Sequence, residues 1–280
     1  MKAALKENYN YIFFEKKSRK LRGDIIDLSY NGKAAHLGSC LSCIDILTIL
    51  YWKYINIVPS KPFDENRDRL ILSKGHAAMA LYACIADKGF INKSELETFN
   101  CDNGRLAEHP PAGLIPGIEA GTGSLGHGFS IGLGMALAST IKNINYNVYA
   151  IVGDGELNEG SIWEGVLFAA AQKIKNFNVI IDSNKWQATC RSNETIDAKS
   201  ISKKFNAFGW KTCEVNGHDF EQLDKALNIS DSDKNNKPYA IIANTIKGKG
   251  ISFMEDDNNW HYKIPNELEV KKSKKELGLL

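Results

Sequence analysis

The chain has 280 residues, 43% of them hydrophobic, which is enough apolar content to bury the core of one large or two small domains. Lysine and arginine number 35 against 33 aspartates and glutamates, so the formal net charge is only +2. The sequence contains no basic stripe interleaved with aromatic residues, which argues against a nucleic-acid ligand.

The N-terminal stretch MKAALKENYNYIFFEKK carries charges too early and too often for the apolar core of a secretory signal peptide. We therefore expect a cytoplasmic location. Six scattered cysteines in such a chain do not predict a disulfide framework. His36, Cys40 and Cys43 have a spacing compatible with metal or redox chemistry, but the apolar residues around them favour a helix in which the cysteines act as small hydrophobic side chains.

A long segment without aspartate, glutamate, lysine or arginine runs from Gly121 to Ile141. It is long enough to span a bilayer, and Gly128 and Gly132 form a pair of small residues four positions apart. Its six glycines, its histidine and its hydroxyl groups argue against membrane insertion. We expect a buried, close-packed helix and no membrane association.

Three nearly continuous β-branched and apolar runs end in turn residues, as strands buried on both faces do: Asn147 to Gly155, Asn178 to Asn184 and Pro238 to Gly248. Helical periodicity occurs between them, in Asn158 to Lys175 and in Phe220 to Ile229, and the polar stretch Ser230 to Pro238 indicates an exposed loop. The alternation predicts an α/β fold with a doubly wound, mostly parallel sheet and helices on both faces.

Two polar residues end neighbouring predicted strands, namely Asp154 in the sequence GDG and Asn184. One carboxylate and one carboxamide provide oxygen ligands of the kind that Mg²⁺ or Ca²⁺ takes, with a backbone carbonyl, water and phosphates completing the shell. Gly153 and Gly155 allow a diphosphate to approach the backbone amides at the start of the next helix. The pattern indicates a metal-bound diphosphate, and the alternative is a strand-end turn whose aspartate caps a helix.

Other phosphate-binding motifs fit less well. The sequence has no P-loop, and GDGELNEG lacks the third glycine of a dinucleotide-binding fingerprint at the required position. GDG followed by about thirty residues and Asn resembles the thiamine diphosphate motif. The stretch from Ala35 to Pro265 resembles the N-terminal half of transketolases, through AAHLGSCLSCIDIL, DRLILSKGHAAMALYA, AEHPPAGLIPGIEAGTGSLGHG and IIANTIKGKGISFMEDDNNWHYKIP. The last segment is similar to that of split, two-chain transketolases.

The resemblance implies a role for each matching residue. Asp154 and Asn184 would bind the cation through their side chains, and Trp186 through its backbone carbonyl. The residues that would bind thiamine diphosphate are His76, Gly123, Ser124, Leu125, Gly153, Gly155, Glu156, Asn184 and His261. The catalytic residues, which would contact sugar hydroxyls and move protons, are His36, His76, His109, His261 and Glu159.

The resemblance also implies a second chain. In transketolases the glutamate that activates the aminopyrimidine ring of the cofactor belongs to a separate α/β module, the pyrimidine domain, which the matched segments do not include. We therefore expect residues 1–280 to form a single diphosphate-binding (PP) domain. A C-terminal subunit with the pyrimidine domain and its glutamate would complete a heterotetramer with two copies of each chain.

The expected reaction is transfer of a two-carbon ketol unit from a ketose phosphate to an aldose phosphate. There are two alternatives. The chain could belong to a specialised ketol or acyl transferase of sugar or natural-product biosynthesis, or it could be a non-catalytic subunit with the same fold.

Some positions depart from the family pattern. Glu108 stands before His109, where the family commonly has glycine, and the segment KWQATCRSN after Asn184 is unusual. We expect both to affect substrate details more than cofactor binding. His127 occupies a position where the family often has glutamine, and a neutral hydrogen-bonding role near the cofactor fits either side chain. His218 lies outside the matching motifs and is expected to be structural.

Overall fold

The computed structural model describes residues 9–111, 113, 115–196, 199–232 and 236–280. These residues form a five-stranded sheet whose strands are β1 (Arg69–Leu72), β2 (Val148–Gly153), β3 (Phe177–Ser183), β4 (Lys211–Asn216) and β5 (Tyr239–Asn244). All neighbouring strands are parallel, in the order β1-β2-β3-β5-β4. Their carboxyl ends therefore meet at one edge of the sheet.

The helices of the described residues surround this sheet. They are α1 (Tyr11–Gly32), α2 (Leu37–Ile49), α3 (Ala78–Lys88), α4 (His127–Ile141), α5 (Gly160–Ala171), α6 (Ser192–Thr195), α7 (Ile201–Ala207), α8 (Phe220–Ser232) and α9 (Glu267–Glu276). A π-helical turn, Leu50–Tyr54, continues α2. Short 3₁₀ turns follow β1 and β2, at Gly75–Ala77 and Gly155–Asn158, and a further one spans Asn258–His261.

The sheet has a hydrophobic core on each face. In β2, Tyr149 and Ile151 pack into one core, whereas Val148, Ala150 and Val152 pack into the other. The first core is formed with α1, α2, α3 and α8, and the second with α4, α5 and α7. A strand covered on both faces buries nearly all of its side chains and is therefore mostly apolar, which is why the apolar runs in the sequence are nearly continuous. The predicted doubly wound α/β fold is confirmed.

The three predicted strands are present as β2, β3 and β5. β2 and β5 are shorter at both ends than the predicted runs, whereas β3 has the predicted length and lies one residue closer to the N-terminus. The sequence did not predict β1 or β4, the two strands at the edges of the sheet. β4 alternates between half-buried and exposed residues, so it lacks a continuous apolar run. β1 has only four residues, which is too short for periodicity to identify.

The segment from Gly121 to Ile141 differs from the prediction of a buried helix. Its helix, α4, begins only at His127, and it buries one face while Ile131 and Ile141 on the other face are exposed. The helix packs on one side of the sheet, so only its sheet-facing residues are covered. Within the described ranges, no helix is both long enough and apolar enough to cross a membrane.

The polar stretch predicted as a loop from Ser230 to Pro238 is partly helical. Helix α8 continues to Ser232, so the prediction is wrong for the first three residues of this stretch. Residues 233–235 lie outside the described part of the chain, as do residues 1–8 of the N-terminal stretch and residues 112 and 114 of the AEHPPAGLIPG segment.

Candidate active site

The ends of β2 and β3 bring Asp154 and Asn184 to one cavity. The register pairs Gly153 with Asp182, and the Asp154 N–H donates to the Asp182 carbonyl at 3.3 Å. Both Asp154 and Asn184 are buried. They line a cavity of about 290 Å³ at the carboxyl edge of the sheet. The carboxylate and the carboxamide therefore lie on the same wall, as parallel strand ends require.

The loop after β3 encloses the Asp154 carboxylate. The Oδ2 atom of Asp154 accepts hydrogen bonds from the Lys185 N–H and the Ser192 hydroxyl of this loop, both at 2.9 Å. The Oδ1 atom of Asp154 accepts a hydrogen bond from the Gly155 N–H, after β2, at 3.0 Å. Burial raises the pKa of Asp154 to about 6, despite the lowering effect of the Ser192 hydroxyl and the Lys185 amide. A buried carboxylate whose charged form is disfavoured in this way would be stabilised by a cation beside it.

The donor set fits a hard cation that is bound together with a diphosphate. Asn184 Oδ1 accepts the Trp186 N–H at 3.0 Å, and Trp186 lines the same cavity as Asp154. The residues that the structure describes contain no cluster of three or more His, Cys, Asp or Glu suited to a metal ion. A cation held by this set would therefore need diphosphate and water oxygens to complete its shell.

Four histidines from separate segments line the cavity together. The His36 ring centroid lies 5.4 Å from that of His76, 5.9 Å from His109 and 5.0 Å from His261. His36 adopts a left-handed conformation with φ of 70° at the start of α2, and its N–H donates to the His261 carbonyl at 2.7 Å. The predicted histidine cluster is thus assembled in three dimensions.

The surroundings of two of these rings, His76 and His261, keep them neutral. Burial lowers the pKa of His76 well below its usual value, and the ammonium of Lys74 lowers it further. Burial and then the charge of Lys247 lower the pKa of His261 to about 3. A neutral imidazole donates a hydrogen bond from one nitrogen and accepts one at the other, so each of these two rings can act as donor or acceptor toward a hydroxyl group.

Two glycines allow the segments of His76 and His109 to approach closely. A Cβ on Gly75 would lie 2.4 Å from the backbone carbonyl carbon of Thr122. Gly123 has a φ of 147°, and a Cβ there would lie 2.7 Å from His109 Cδ2. Glycine is therefore required at both positions by close contact, and at Gly123 also by its backbone conformation.

A fully buried ion pair lies beneath the cavity. The Lys74 ammonium contacts the Asp182 carboxylate, and the exposed fractions of the two side chains are 1% and 0%. Lys74 also donates to the Ser39 carbonyl at 3.1 Å, while the hydroxyls of Ser42 and Thr245 donate to Asp182. Although burial opposes its charge, the Asp182 carboxylate raises the pKa of Lys74, so this residue is an ammonium at neutral pH. Lys74 lines the cavity.

A second lysine, Lys247, lies next to the histidines. Its ammonium is 2.9 Å from His261 Nδ1, 2.6 Å from Asn258 Oδ1 and 3.3 Å from the Gln187 carbonyl. Burial, followed by repulsion from Lys74, lowers its pKa to about 7. A bound anion would reverse this shift, since opposite charge stabilises the ammonium form.

Gln187 lines the cavity beside the GDG turn. A Cβ on Gly155 would lie 3.0 Å from Gln187 Cγ, so the two residues are in close contact. The Gln187 Nε2 atom is enclosed, and no hydrogen-bond partner for it exists among the described residues. An enclosed amide donor without an acceptor is unfavourable in the free protein and available to an anion in the cavity.

The predicted site residues differ in where they lie. Those that line the cavity are His36, His76, His109, Gly123, Leu125, Gly153, Asp154, Gly155, Glu156, Asn184, Trp186 and His261. Ser124 and Glu159 are exposed outside it. The Glu156 carboxylate accepts hydrogen bonds from Ser73, Gly126 and Gly153, so its side chain holds the turn together.

Sequence reasoning missed Lys74, Lys247 and Gln187. The two lysines lie in the quoted segments SKGH and IKGKG, but there was no signal that either is buried. Gln187 lies in the unusual segment after Asn184, which forms a turn closed by the Gln187 N–H and the Cys190 carbonyl at 2.9 Å.

A buried network fixes the loop that carries Lys247. Arg22 donates to both oxygens of Asp45 at 2.9 and 2.7 Å, and to the Lys249 carbonyl at 2.8 Å. His218 Nδ1 lies 2.8 Å from Asp45, and the Ile246 N–H donates to His218 Nε2 at 2.8 Å. Both nitrogens of His218 are thus used within the protein, in agreement with the structural role predicted for it.

The cysteines and His127 take no part in the cavity. All six cysteines are free thiols, and burial raises the pKa of Cys40 to about 12, in keeping with a hydrophobic role in α2. His127 is exposed at the start of α4, with Nδ1 3.3 Å from the Leu125 carbonyl.

Known proteins share this sequence and fold. The model of the family described as "Transketolase, thiamine diphosphate binding domain" matches residues 15–280. The chain belongs to the transketolase family. It is 37% identical over 264 residues to one subunit of an apulose-4-phosphate transketolase from Phocaeicola vulgatus, covering 94% of this chain and 93% of that protein. A 6-deoxy-6-sulfo-D-fructose transketolase subunit from Clostridium sp. is 39% identical over 220 residues, covering 79% and 80% of the two chains.

A solved structure shows how much of a longer transketolase this chain corresponds to. The crystal structure of transketolase from Campylobacter jejuni superimposes with a TM-score of 0.91 at 30% identity. The match covers 96% of this chain and 43% of that one. Thiamine diphosphate is therefore the cofactor of this transketolase domain, and the cavity with Asp154 and Asn184 lies at the sheet edge where a ligand of such a fold binds.

Proposed function

We propose that this chain is the diphosphate-binding subunit of a two-chain transketolase that transfers a two-carbon ketol unit from a ketose phosphate to an aldose phosphate. The observation that carries the proposal is one cavity in which Asp154 and Asn184 lie together with four histidines. In this proposal, the reaction needs from this chain oxygen ligands for a cation and imidazoles for sugar hydroxyls.

In this proposal the cation is Mg²⁺ or Ca²⁺, held by the side chains of Asp154 and Asn184 and by the carbonyl of Trp186. The diphosphate is bound by the main-chain amides of Gly155 and Glu156 and by His76 and His261, with Gly123 and Leu125 against the rest of the cofactor. Ser124 and Glu159, which are exposed, would act only where another chain or cofactor part reaches them. When bound, thiamine diphosphate supplies the carbanion that carries the two-carbon unit.

The residues of the chain position the sugar and handle its protons. His36 and His109 would contact the sugar hydroxyls, and a neutral imidazole can accept a proton and return it at near-neutral pH. Lys247 would neutralise part of the diphosphate charge, because its ammonium lies 2.9 Å from Nδ1 of His261, a residue that lines the cavity. The Gln187 amide would donate a further hydrogen bond to the diphosphate, since its Nε2 lacks an acceptor among the described residues.

A second protein chain is part of this proposal. The cavity of about 290 Å³ lies just below the roughly 300–1,000 Å³ typical of small-molecule sites, which supports a second surface that completes the cofactor site. Relatives of nearly the same length are named as single subunits of transketolases. We infer a C-terminal subunit with the pyrimidine domain and activating glutamate, a heterotetramer in the cytoplasm, and a single PP domain in this chain.

A specialised sugar pathway is the second candidate for the biological role. The relatives are named for apulose 4-phosphate and for 6-deoxy-6-sulfo-D-fructose, which are unusual sugars with an anionic group. This favours an uncommon anionic ketose as the donor, with the same ketol-transfer chemistry.

Calorimetric titration of magnesium and thiamine diphosphate into the chain, together with its partner subunit, tests the proposed function. Asp154→Ala should weaken magnesium-dependent binding by more than about 10-fold, because the carboxylate is the only charged ligand in the set. Asp102→Ala, at an exposed aspartate, is the matched control and should bind like the wild type. Equal binding by the Asp154 variant, or no binding by the wild-type complex, would refute the proposal.

A further inference from the structure

One histidine of the cavity differs from the others because it has a carboxylate beside it. Glu108 Oε1 lies 3.3 Å from His36 Nδ1. The Nδ1 atom is enclosed, and no well-aligned hydrogen bond reaches it from the described residues. The Glu108 side chain is 37% exposed, so its carboxylate is solvated and has room for the small rotation that would align the two groups.

The remaining groups around His36 cannot take over this role. The rings of His76, His109, His261 and Tyr262 lie within 6.2 Å of the His36 ring, and none of these side chains carries a carboxylate. Lys247, from the loop after β5, contributes positive charge as well. Among the described residues, Glu108 is therefore the anionic group whose charge acts most strongly on His36.

These charges have opposing effects on the protonation of His36. Burial is the largest and lowers its pKa, the Glu108 carboxylate raises it, and His109 and Lys247 lower it. The pKa of His261, which burial and then the charges of Lys247, His36 and Lys74 all lower, falls to about 3. Glu108 thus keeps His36 a better proton acceptor than a ring in the same cavity would otherwise be.

We propose that Glu108 is a positioning residue that holds the proton of neutral His36 on Nδ1, so that Nε2 is the atom that accepts a proton from a sugar hydroxyl. This proposal rests on the ketol-transfer function proposed above. A carboxylate on one nitrogen of an imidazole fixes the tautomer and stabilises the imidazolium that forms when the other nitrogen takes up a proton.

The reaction has one step that needs such an acceptor. When the C2–C3 bond of the ketose breaks, its electron pair stays with the two-carbon unit, and C3 becomes the carbonyl carbon of the released aldose. The C3 hydroxyl must therefore lose its proton, and in this proposal the proton moves to His36 Nε2. In the second half of the reaction, the same proton returns to the oxygen of the acceptor carbonyl as the new C–C bond forms. Atoms and charge balance over the full cycle.

The test is a nitrogen-15 NMR titration of the histidines in the isolated chain, which needs neither cofactor nor substrate. His36→Asn identifies the His36 signals, and asparagine tolerates the left-handed backbone at this position. In the wild type, the chemical shifts should show Nδ1 protonated and Nε2 free above the titration midpoint. In Glu108→Gln, the midpoint of His36 should fall by about 0.5–1 pH unit, and the preference for the Nδ1–H tautomer should weaken.

Glu97→Gln is the matched control, because Glu97 is an exposed glutamate and should leave the His36 titration unchanged. A purely structural role for Glu108 would alter stability but not the midpoint or the tautomer. A midpoint in Glu108→Gln within about 0.2 unit of the wild type would overturn the proposal. That result would leave the calorimetric test of the proposed function unaffected, so the two failures are distinguishable.

Discussion

Replacing Lys74 by methionine should destabilise the chain strongly, because it leaves the carboxylate of Asp182 buried without its counter-charge. Both side chains are almost completely enclosed beneath the cavity. Two hydroxyl groups, from Ser42 and Thr245, would still donate to Asp182 after the substitution. The carboxylate would therefore be partly, but not fully, compensated.

The size of the effect follows from these contacts. Removing one partner of a buried ion pair costs about 3–5 kcal/mol, and the two remaining hydroxyl donors reduce the loss toward the lower limit. We expect about 3 kcal/mol for Lys74→Met. Asp182→Asn should cost about 4 kcal/mol, since Lys74 would keep the Ser39 carbonyl and only a neutral amide oxygen. The double variant removes both charges, so it should be at least as stable as the less stable single variant.

Urea denaturation followed by far-UV circular dichroism near neutral pH measures these free energies of unfolding. The exposed pair of Glu221 and Lys225 provides the control, and Glu221→Gln with Lys225→Met should change stability by less than about 0.5 kcal/mol. Single variants at Lys74 and Asp182 that each cost less than about 1 kcal/mol would refute the reasoning. So would a double variant whose loss equals the sum of the single losses.

Three further predictions concern the enzyme assembled with its partner subunit. Near pH 8, binding of magnesium thiamine diphosphate should take up about 0.9 proton. Lys247, with a pKa of about 7, is mostly neutral in the free protein, and the bound diphosphate should raise that pKa so that the side chain gains a proton. The affinity for the cofactor should therefore increase as the pH falls from 9 to 7. Calorimetry in buffers of different ionisation enthalpy measures the uptake, which Lys247→Met should abolish. Gln187→Ala should raise the dissociation constant of the cofactor about 10-fold, the effect of one hydrogen bond to a charged group, and an unchanged constant would contradict its proposed contact. Gly123→Ala should displace the His109 ring and lower kcat by more than about 10-fold. The circular dichroism spectrum should change little. A kcat equal to that of the wild type would show that the ring tolerates the added methyl group.

The strand ends could be predicted because their signal is local. An apolar run that stops at a polar residue, as at Asp154 and Asn184, identifies a buried strand and its carboxyl end at once. The parallel arrangement of the sheet then brings such residues together without further information. The resemblance supplied the histidines, and the structure shows that His36, His76 and His109 reach the same cavity.

The buried charges could not be predicted because they depend on distant partners. Lys74 is separated from Asp182 by 108 positions, and in isolation a lysine is expected to be exposed. Lys247 likewise owes its position to Asn258 and His261, which a local pattern does not connect to it. The exposed face of α4 was missed for the same reason, since an apolar segment does not reveal which of its sides will be covered.

The hydrogen bond from His36 to the His261 carbonyl has a consequence for the order in which the chain folds. Every residue of α2, which starts next to His36, is buried in the finished protein. On the ribosome this helix emerges well before the turn that contains His261, so the cavity cannot close until most of the chain has been synthesised. During that interval α2 exposes an apolar surface, and contacts between such distant segments form slowly. Cells that produce this chain at a high rate should therefore depend on chaperones to protect α2 during translation.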